Sequence, residues 1–361
     1  MLLKTRLIAL SAVLAPLAVP ASVSAATFSE IYVFGDSLSD TGNLYRQTSL
    51  LPPPFNFFGI PASPPYAQQF ANGPLWVEYL ADDLQPGADV LPIRNFAVGG
   101  ATTSTFNIVN NFLPLPDFDG LQEQVTDNYL GLNPIIDPNA LYTLWAGAND
   151  YLGGGVVDPT IPVGNLQAAI DAFIDAGVQN LLVLNLPDLG RVPQALSSNQ
   201  SAALSALSSQ HNALLDQVVA GLEAVTLFDV NALFDQALSG AFGFTNTTES
   251  CLQGFQSPLP FQTGLPCANP DQHVFWDDLH PTTQVHAILG SAVATALQDD
   301  SRPDRPVIVD PTTPTASTPE PGLMAGLAGL GAIAAYLKSN RRFALKFVFS
   351  RQRTLGGQTV R

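Results

Sequence analysis

A chain of 361 residues, 46% hydrophobic and 12% charged, has the apolar content for a sizeable core, which excludes a disordered chain. Its formal net charge is −16, and between Ala26 and Asp300 three arginines (Arg46, Arg94, Arg191) and no lysine stand against 27 Asp and Glu. With so few cations to displace phosphate counterions, the composition argues against nucleic acid as a partner and makes an anionic lipid surface costly to approach.

The first segment places Lys4 and Arg6 before an apolar stretch from Leu7 to Val19, followed by Val23-Ser24-Ala25. A basic start, a short apolar region and small residues make the pattern of a signal peptide, so residues 1–25 are expected to be cleaved off and the rest exported. The apolar stretch is shorter than the ~20 residues of a bilayer span. Short apolar runs bounded by turn formers then predict buried strands at Ile31–Phe34, Ile93–Ala97, Leu141–Trp145, Leu181–Leu186 and Val225–Phe228. Helical patterns fall at Leu121–Leu130, Val163–Ala176, Gln200–Ala220 and Thr282–Gln298. Strands alternating with helices imply one α/β domain over residues 26–300, a three-layer sandwich with a central five-stranded parallel sheet flanked by helices.

Two irregular insertions interrupt this pattern, Leu51–Pro65, dense in proline and phenylalanine, and Asn246–Pro270. Either is a decorated surface loop or a wall of a substrate pocket. The second holds both cysteines, Cys251 and Cys267, and an even count in an exported chain favours a disulfide between them.

Ser37 follows the first strand in Phe34-Gly35-Asp36-Ser37-Leu38-Ser39-Asp40-Thr41-Gly42-Asn43. There its hydroxyl sits at the carboxyl edge of the sheet, where α/β proteins do chemistry; a helix N-cap is the structural alternative. A serine nucleophile needs a base and an orienter. Asp277-Asp278-Leu279-His280-Pro281 offers both, with the proline turning the chain so that a carboxylate meets the imidazole. Asp278 competes with Asp277 as orienter, and His273 is the fallback base. His211 and His286 fall within helical patterns, where a packed or solvated histidine is the usual outcome. Donors for an oxyanion are available in Asn95-Phe96-Ala97-Val98-Gly99-Gly100-Ala101-Thr102 and in Gly147-Ala148-Asn149-Asp150, each of which taken alone reads as an ordinary turn. No His-Glu-x-x-His or clustered Cys/His spacing suggests a metal, and no cofactor is implied.

The Gly-Asp-Ser block at Ser37, the blocks at Gly100 and Asn149, and Asp277-x-x-His280-Pro281, in that order, resemble the GDSL family of SGNH hydrolases. Leu186-Pro187-Asp188-Leu189-Gly190-Arg191-Val192-Pro193 is similar to a segment of plant-type and bacterial members. The resemblance implies a flavodoxin-like fold and a serine esterase or lipase acting on small-molecule, lipid or glycan esters. It implies catalytic Ser37, Asp277 and His280, the carboxylate being the one three residues before the histidine. It also implies an oxyanion hole of the Ser37 N–H, the Gly100 N–H and the Asn149 side chain. An O-acetyl esterase or acyltransferase acting on extracellular polysaccharide is the alternative, and a noncatalytic surface protein the further one.

From Ser301 the chain becomes rich in Pro, Thr and Asp, an extended linker over 301–318. Pro319-Glu320-Pro321, the apolar run Gly322–Leu337 and the basic Lys338, Arg341 and Arg342 then resemble a PEP-CTERM sorting signal over 319–343, with a basic tail at 344–361. That resemblance implies transient membrane attachment, processing by an exosortase and a Gram-negative envelope or extracellular location, although the chain continues past the Arg pair to Arg361.

Overall fold

The computed structural model describes residues 28–51, 59–87, 90–113, 117–253 and 264–298, all within one unit of the chain, Met1–Thr315. The expected signal segment, linker, sorting segment and basic tail lie outside the described residues, as do 52–58 and 254–263 of the two insertions.

Five strands, β1 (Ile31–Gly35), β2 (Ile93–Asn95), β3 (Leu141–Trp145), β4 (Leu181–Leu184) and β5 (Val225–Phe228), form one parallel sheet in the order β2-β1-β3-β4-β5. The three inner strands β1, β3 and β4 are buried throughout because both faces are covered, while the edge strands β2 and β5 are partly exposed, and the period-2 alternation sorts residues between two cores. The helices in chain order are α1 (Asn43–Ser49), α2 (Trp76–Leu84), α3 (Leu121–Thr126), α4 (Ala148–Leu152), α5 (Thr160–Ala176), α6 (Pro193–Ser197), α7 (Ser201–Val219), α8 (Val230–Leu238) and α9 (Thr283–Gln298). Ile31, Val33, Leu141, Trp145, Leu182 and Leu184 pack against α2, α8 and α9, while Tyr32, Phe34, Tyr142, Leu144 and Val183 pack against α3, α5 and much of α7. This is the expected three-layer architecture.

The strand order reverses direction between β1 and β3, and the loops leaving those two strands therefore diverge to leave a crevice at the carboxyl edge. Gly35 ends β1 at φ +154°, and a Cβ there would lie 2.2 Å from the Trp145 carbonyl oxygen. Only glycine lets β1 and β3 stay paired to the residue from which the chain turns toward Ser37.

Several boundaries differ from the sequence expectation for local reasons. β2 stops at Asn95, whose side chain accepts the Ala97 N–H and donates to the Ser39 carbonyl, bending the chain out of the sheet. α3 ends at Thr126 rather than Leu130, because the Asn128 N–H reaches back to the Glu123 carbonyl and closes the helix. α5 starts at Thr160, with Pro162 in its first turn, where a missing N–H breaks no intrahelical bond. The second insertion is not wholly irregular. β6 (Asn246–Ser250) pairs parallel with β9 (His273–Phe275), and β7 (Leu252–Gln253) pairs antiparallel with β8 (Leu265–Pro266).

Cys251 and Cys267 are joined in a disulfide, and the knot they close is bonded to the strand beside it: the N–H groups of Cys251 and Leu252 donate to the carbonyls of Phe275 and Trp276 at 3.0 and 2.7 Å. No helix among the described residues is long and apolar enough to cross a membrane. With the cysteines 16 residues apart, the paired substitutions Cys251→Ser and Cys267→Ser should lower the unfolding free energy by roughly 3 kcal/mol, the loop-entropy expectation for a bridge of this span. Urea denaturation of the two proteins under identical conditions checks this, and equal midpoints would show that the bridge contributes nothing.

Candidate active site

The loop leaving β1 turns at Asp36 and carries Ser37 to the carboxyl edge of the sheet. Its shape is held by Asp40, a buried carboxylate that accepts the N–H groups of Gly42, of Asn43 and Leu44 at the start of α1, and of Gly99 in the loop after β2. Gln124 of α3 bonds both the N–H and the carbonyl of Gly35 at 2.9 Å, fixing the strand end itself. These bonds place Ser37 by backbone rather than by its own side chain.

The far end of the domain meets it there. The chain between Val274 and Thr282 doubles back, with the Trp276 N–H donating to the His280 carbonyl at 2.8 Å and the Thr282 N–H to that of Val274 at 2.9 Å. Within this turn Asp277 Oδ1 accepts the N–H groups of Leu279 and His280, and the carboxylate faces the imidazole, with Oδ2 2.8 Å from His280 Nδ1. The opposite ring nitrogen, Nε2, lies 2.8 Å from Ser37 Oγ. Hydroxyl, imidazole and carboxylate therefore form one hydrogen-bonded run, and Asp277 rather than Asp278 bonds the ring.

Asp277 is 1% exposed. Burial disfavours its charged form, but the adjacent imidazolium, the His280 bonds and the Tyr66 hydroxyl outweigh it and hold the carboxyl below its ordinary pKa. For His280 burial pushes the pKa down, while Asp277 first, then Asp278 and Asp36, push it up; the balance lies above the ordinary 6.5. Burial raises Asp36 to about 7, against the opposing Leu38 N–H bond and the His280 charge.

The expected oxyanion donors gather around the same edge. Gly100, at φ +82°, lies in the loop after β2, and Asn149 opens α4 after β3. Asn149 Nδ2 donates to the Ala101 carbonyl at 2.9 Å, which joins the two segments and leaves the amide its second N–H. Asp150 strengthens this junction by accepting the Thr103 N–H at 2.9 Å and hydroxyl at 2.7 Å. Among the described residues, neither the Ser37 nor the Gly100 N–H meets a protein acceptor.

A cleft open to solvent is lined by Ser37, Asn149 and His280 and walled mostly by apolar side chains, including Leu152, Leu189, Val192, Phe234 and Leu238. Asp188, Leu189 and Val192, from the Leu186–Pro193 segment singled out in the sequence, form its rim. Just beyond it, the Gln194 N–H donates to the Asp278 carbonyl at 3.0 Å, which ties the segment to the Asp277–His280 turn.

The other histidines stand apart from Ser37. His211 is bonded to the Tyr151 hydroxyl, and burial pushes it down to about 4; His286 accepts the Trp76 N–H, and burial pushes it down to about 3. His273, on β9, faces the carbonyl of Glu249 on β6. Among the described residues no group of three or more His, Cys, Asp or Glu side chains is placed to hold a metal ion.

Sequence reasoning missed Asp40, Asp150, Gln124 and Tyr66. Asp40 has a local signal, an acidic residue followed by Thr-Gly-Asn in a turn. Gln124 and Tyr66 have none, since the partners that define them, Gly35 and Asp277, are 89 and 211 residues away.

A family model described as GDSL-like Lipase/Acylhydrolase matches residues 31–293. A phosphatidylcholine-sterol acyltransferase of Aeromonas hydrophila is 31% identical over 340 residues, covering 79% of this chain and 95% of the relative. A thermolabile hemolysin of Vibrio parahaemolyticus is 30% identical, covering 71% of this chain and 61% of the relative. An acetylesterase of Thermothelomyces thermophilus is 27% identical, covering 74% and 87%.

Proposed function

The chain belongs to the GDSL-like lipase/acylhydrolase family, and on that footing we propose that it hydrolyses carboxylic esters through an acyl-enzyme on Ser37. The observation that carries this reading is the run from Ser37 Oγ through His280 to Asp277, with 2.8 Å at each junction. Ser37 Oγ attacks the ester carbonyl carbon while His280 Nε2 takes its proton, and Asp277 steadies the imidazolium through Nδ1–H. The carbonyl oxygen, now an oxyanion, accepts from the Ser37 N–H, the Gly100 N–H and the spare N–H of Asn149. Collapse expels the alcohol with the proton from Nε2. Water, deprotonated by the same nitrogen, then attacks the acyl carbon and restores the serine.

The apolar wall of the cleft favours an ester with an apolar acyl or alcohol portion over a small sugar acetate. A second reading has an acceptor hydroxyl take the place of water, which is acyl transfer; the likeness to the Aeromonas relative supports it. We also propose export, on Lys4, Arg6 and the apolar segment that follows and on the Cys251–Cys267 bond, and C-terminal processing at the segment beginning Pro319-Glu320-Pro321.

Ser37→Ala should abolish both hydrolysis of p-nitrophenyl esters and covalent labelling by a fluorophosphonate probe; retained activity in that variant would end the assignment. In the unmodified enzyme His280 works as a base only when neutral, and its pKa lies above 6.5, so kcat/KM should fall as pH drops through that raised value, with the acid limb centred above pH 6.5. For the tail, mass spectrometry of secreted protein should find a C-terminus upstream of Lys338, and an intact Arg361 would rule out processing.

A further inference from the structure

Asp277 has one partner more than the reaction above employs. The Tyr66 hydroxyl donates to Asp277 Oδ2 at 2.6 Å, the same oxygen that faces His280 Nδ1. Tyr66 is 5% exposed, with its ring edge-on to Trp276 at 6.2 Å and to Phe70 at 6.4 Å, and Phe70 packs on the His280 ring at 5.0 Å. It also packs with Leu252 and the Cys251–Cys267 disulfide, whose backbone is bonded to Phe275 and Trp276. A ring packed in this way holds its hydroxyl toward the Asp277 carboxylate. Burial, with the Asp277 charge beside it, pushes the phenol far above its ordinary range, so it stays a proton donor.

We propose that Tyr66 is a positioning residue of this site: by donating to Asp277 Oδ2 it draws off part of the charge that the carboxylate presents to His280, and so keeps the imidazole unprotonated and able to take the Ser37 proton. The inference rests on His280 being the base, as proposed above. The physical reason lies in the competition for one oxygen. When the ring is neutral, Oδ2 is electron-rich and the Tyr66 bond is at its strongest; when the ring is charged, the imidazolium already neutralises that oxygen and the bond weakens. Tyr66 therefore stabilises the neutral-ring state more than the charged one. The other groups facing His280 are Asp277, Asp278 and Asp36, whose charges all favour the imidazolium, and the buried neutral His286. Burial and the Tyr66 bond are what oppose the three carboxylates.

The full chain carrying isotope-labelled histidine is titrated by NMR with and without Tyr66→Phe, the His280 signal being assigned by its loss in His280→Asn. The His280 midpoint should rise in Tyr66→Phe by on the order of one pH unit, the scale of a single hydrogen bond to a charged group. The acid limb of kcat/KM should rise with it. 3-Fluorotyrosine incorporated at Tyr66, a stronger donor of nearly the same shape, should move the midpoint down, and this arm alone decides if Tyr66→Phe does not fold. A packing role would lower stability or plateau rate yet leave the midpoint where it was in both proteins, and that result overturns the proposal. Because the ring is titrated without substrate, a failed ester assignment, read from Ser37→Ala, is distinguished from a failed role for Tyr66.

Discussion

A carboxylate taken out of water must recover its lost hydration from nearby donors or it destabilises the fold by several kcal/mol. Three buried aspartates meet this constraint by recruiting donors from more than one segment. Asp40 joins the loop after β1 to the loop after β2 through Gly99. Asp150 joins the start of α4 to that same second loop through Thr103. Asp277 gathers its own turn, the His280 ring and Tyr66. The polar edge of the sheet is thus stitched by charges that cannot be left unpaired, and the groups that face the cleft inherit their positions from those stitches. Ser37 and Gly100, whose N–H groups meet no acceptor among the described residues, sit between bonded neighbours rather than being bonded themselves.

The inner strands were legible in the sequence because burial on both faces writes them as apolar runs between turn formers, as in Leu181–Leu184 and Leu141–Trp145. The flanking helices were legible where they are long. α2 and α8 escaped notice although each carries a start signal, Glu78 bonded back to the Leu75 N–H in one and the Asp229 cap in the other; nine residues each left little periodicity to read. The small pairings β6 with β9 and β7 with β8 could not be inferred from the second insertion, since their bonds run between segments with no shared pattern.

The residues expected at the site followed a different logic. The segments bearing Ser37, Asn149 and the Asp277–His280 turn announce themselves by local chemistry, a strand end, a glycine and a polar group, and a proline that forces a turn. Residues that only serve another side chain leave no such trace. Tyr66 stands beside a proline-rich stretch and looks like any aromatic residue of a surface loop, and only the fold reveals that it faces a carboxylate from the opposite end of the domain. Asp278 shows the converse: sequence left it as a rival to Asp277, and the geometry of a single turn separates them, because only the residue three places before the histidine has its carboxylate directed at the ring.

The bond between Ser37 and His280 spans 243 residues of chain. Bringing groups so distant in sequence together costs loop-closure entropy that the rest of the fold must offset. A chain that stopped after α8 would carry Ser37, Gly100, Asn149 and most of the cleft lining, but not His280. The turn before α9 thus supplies the partner that Ser37 lacks until the domain is whole.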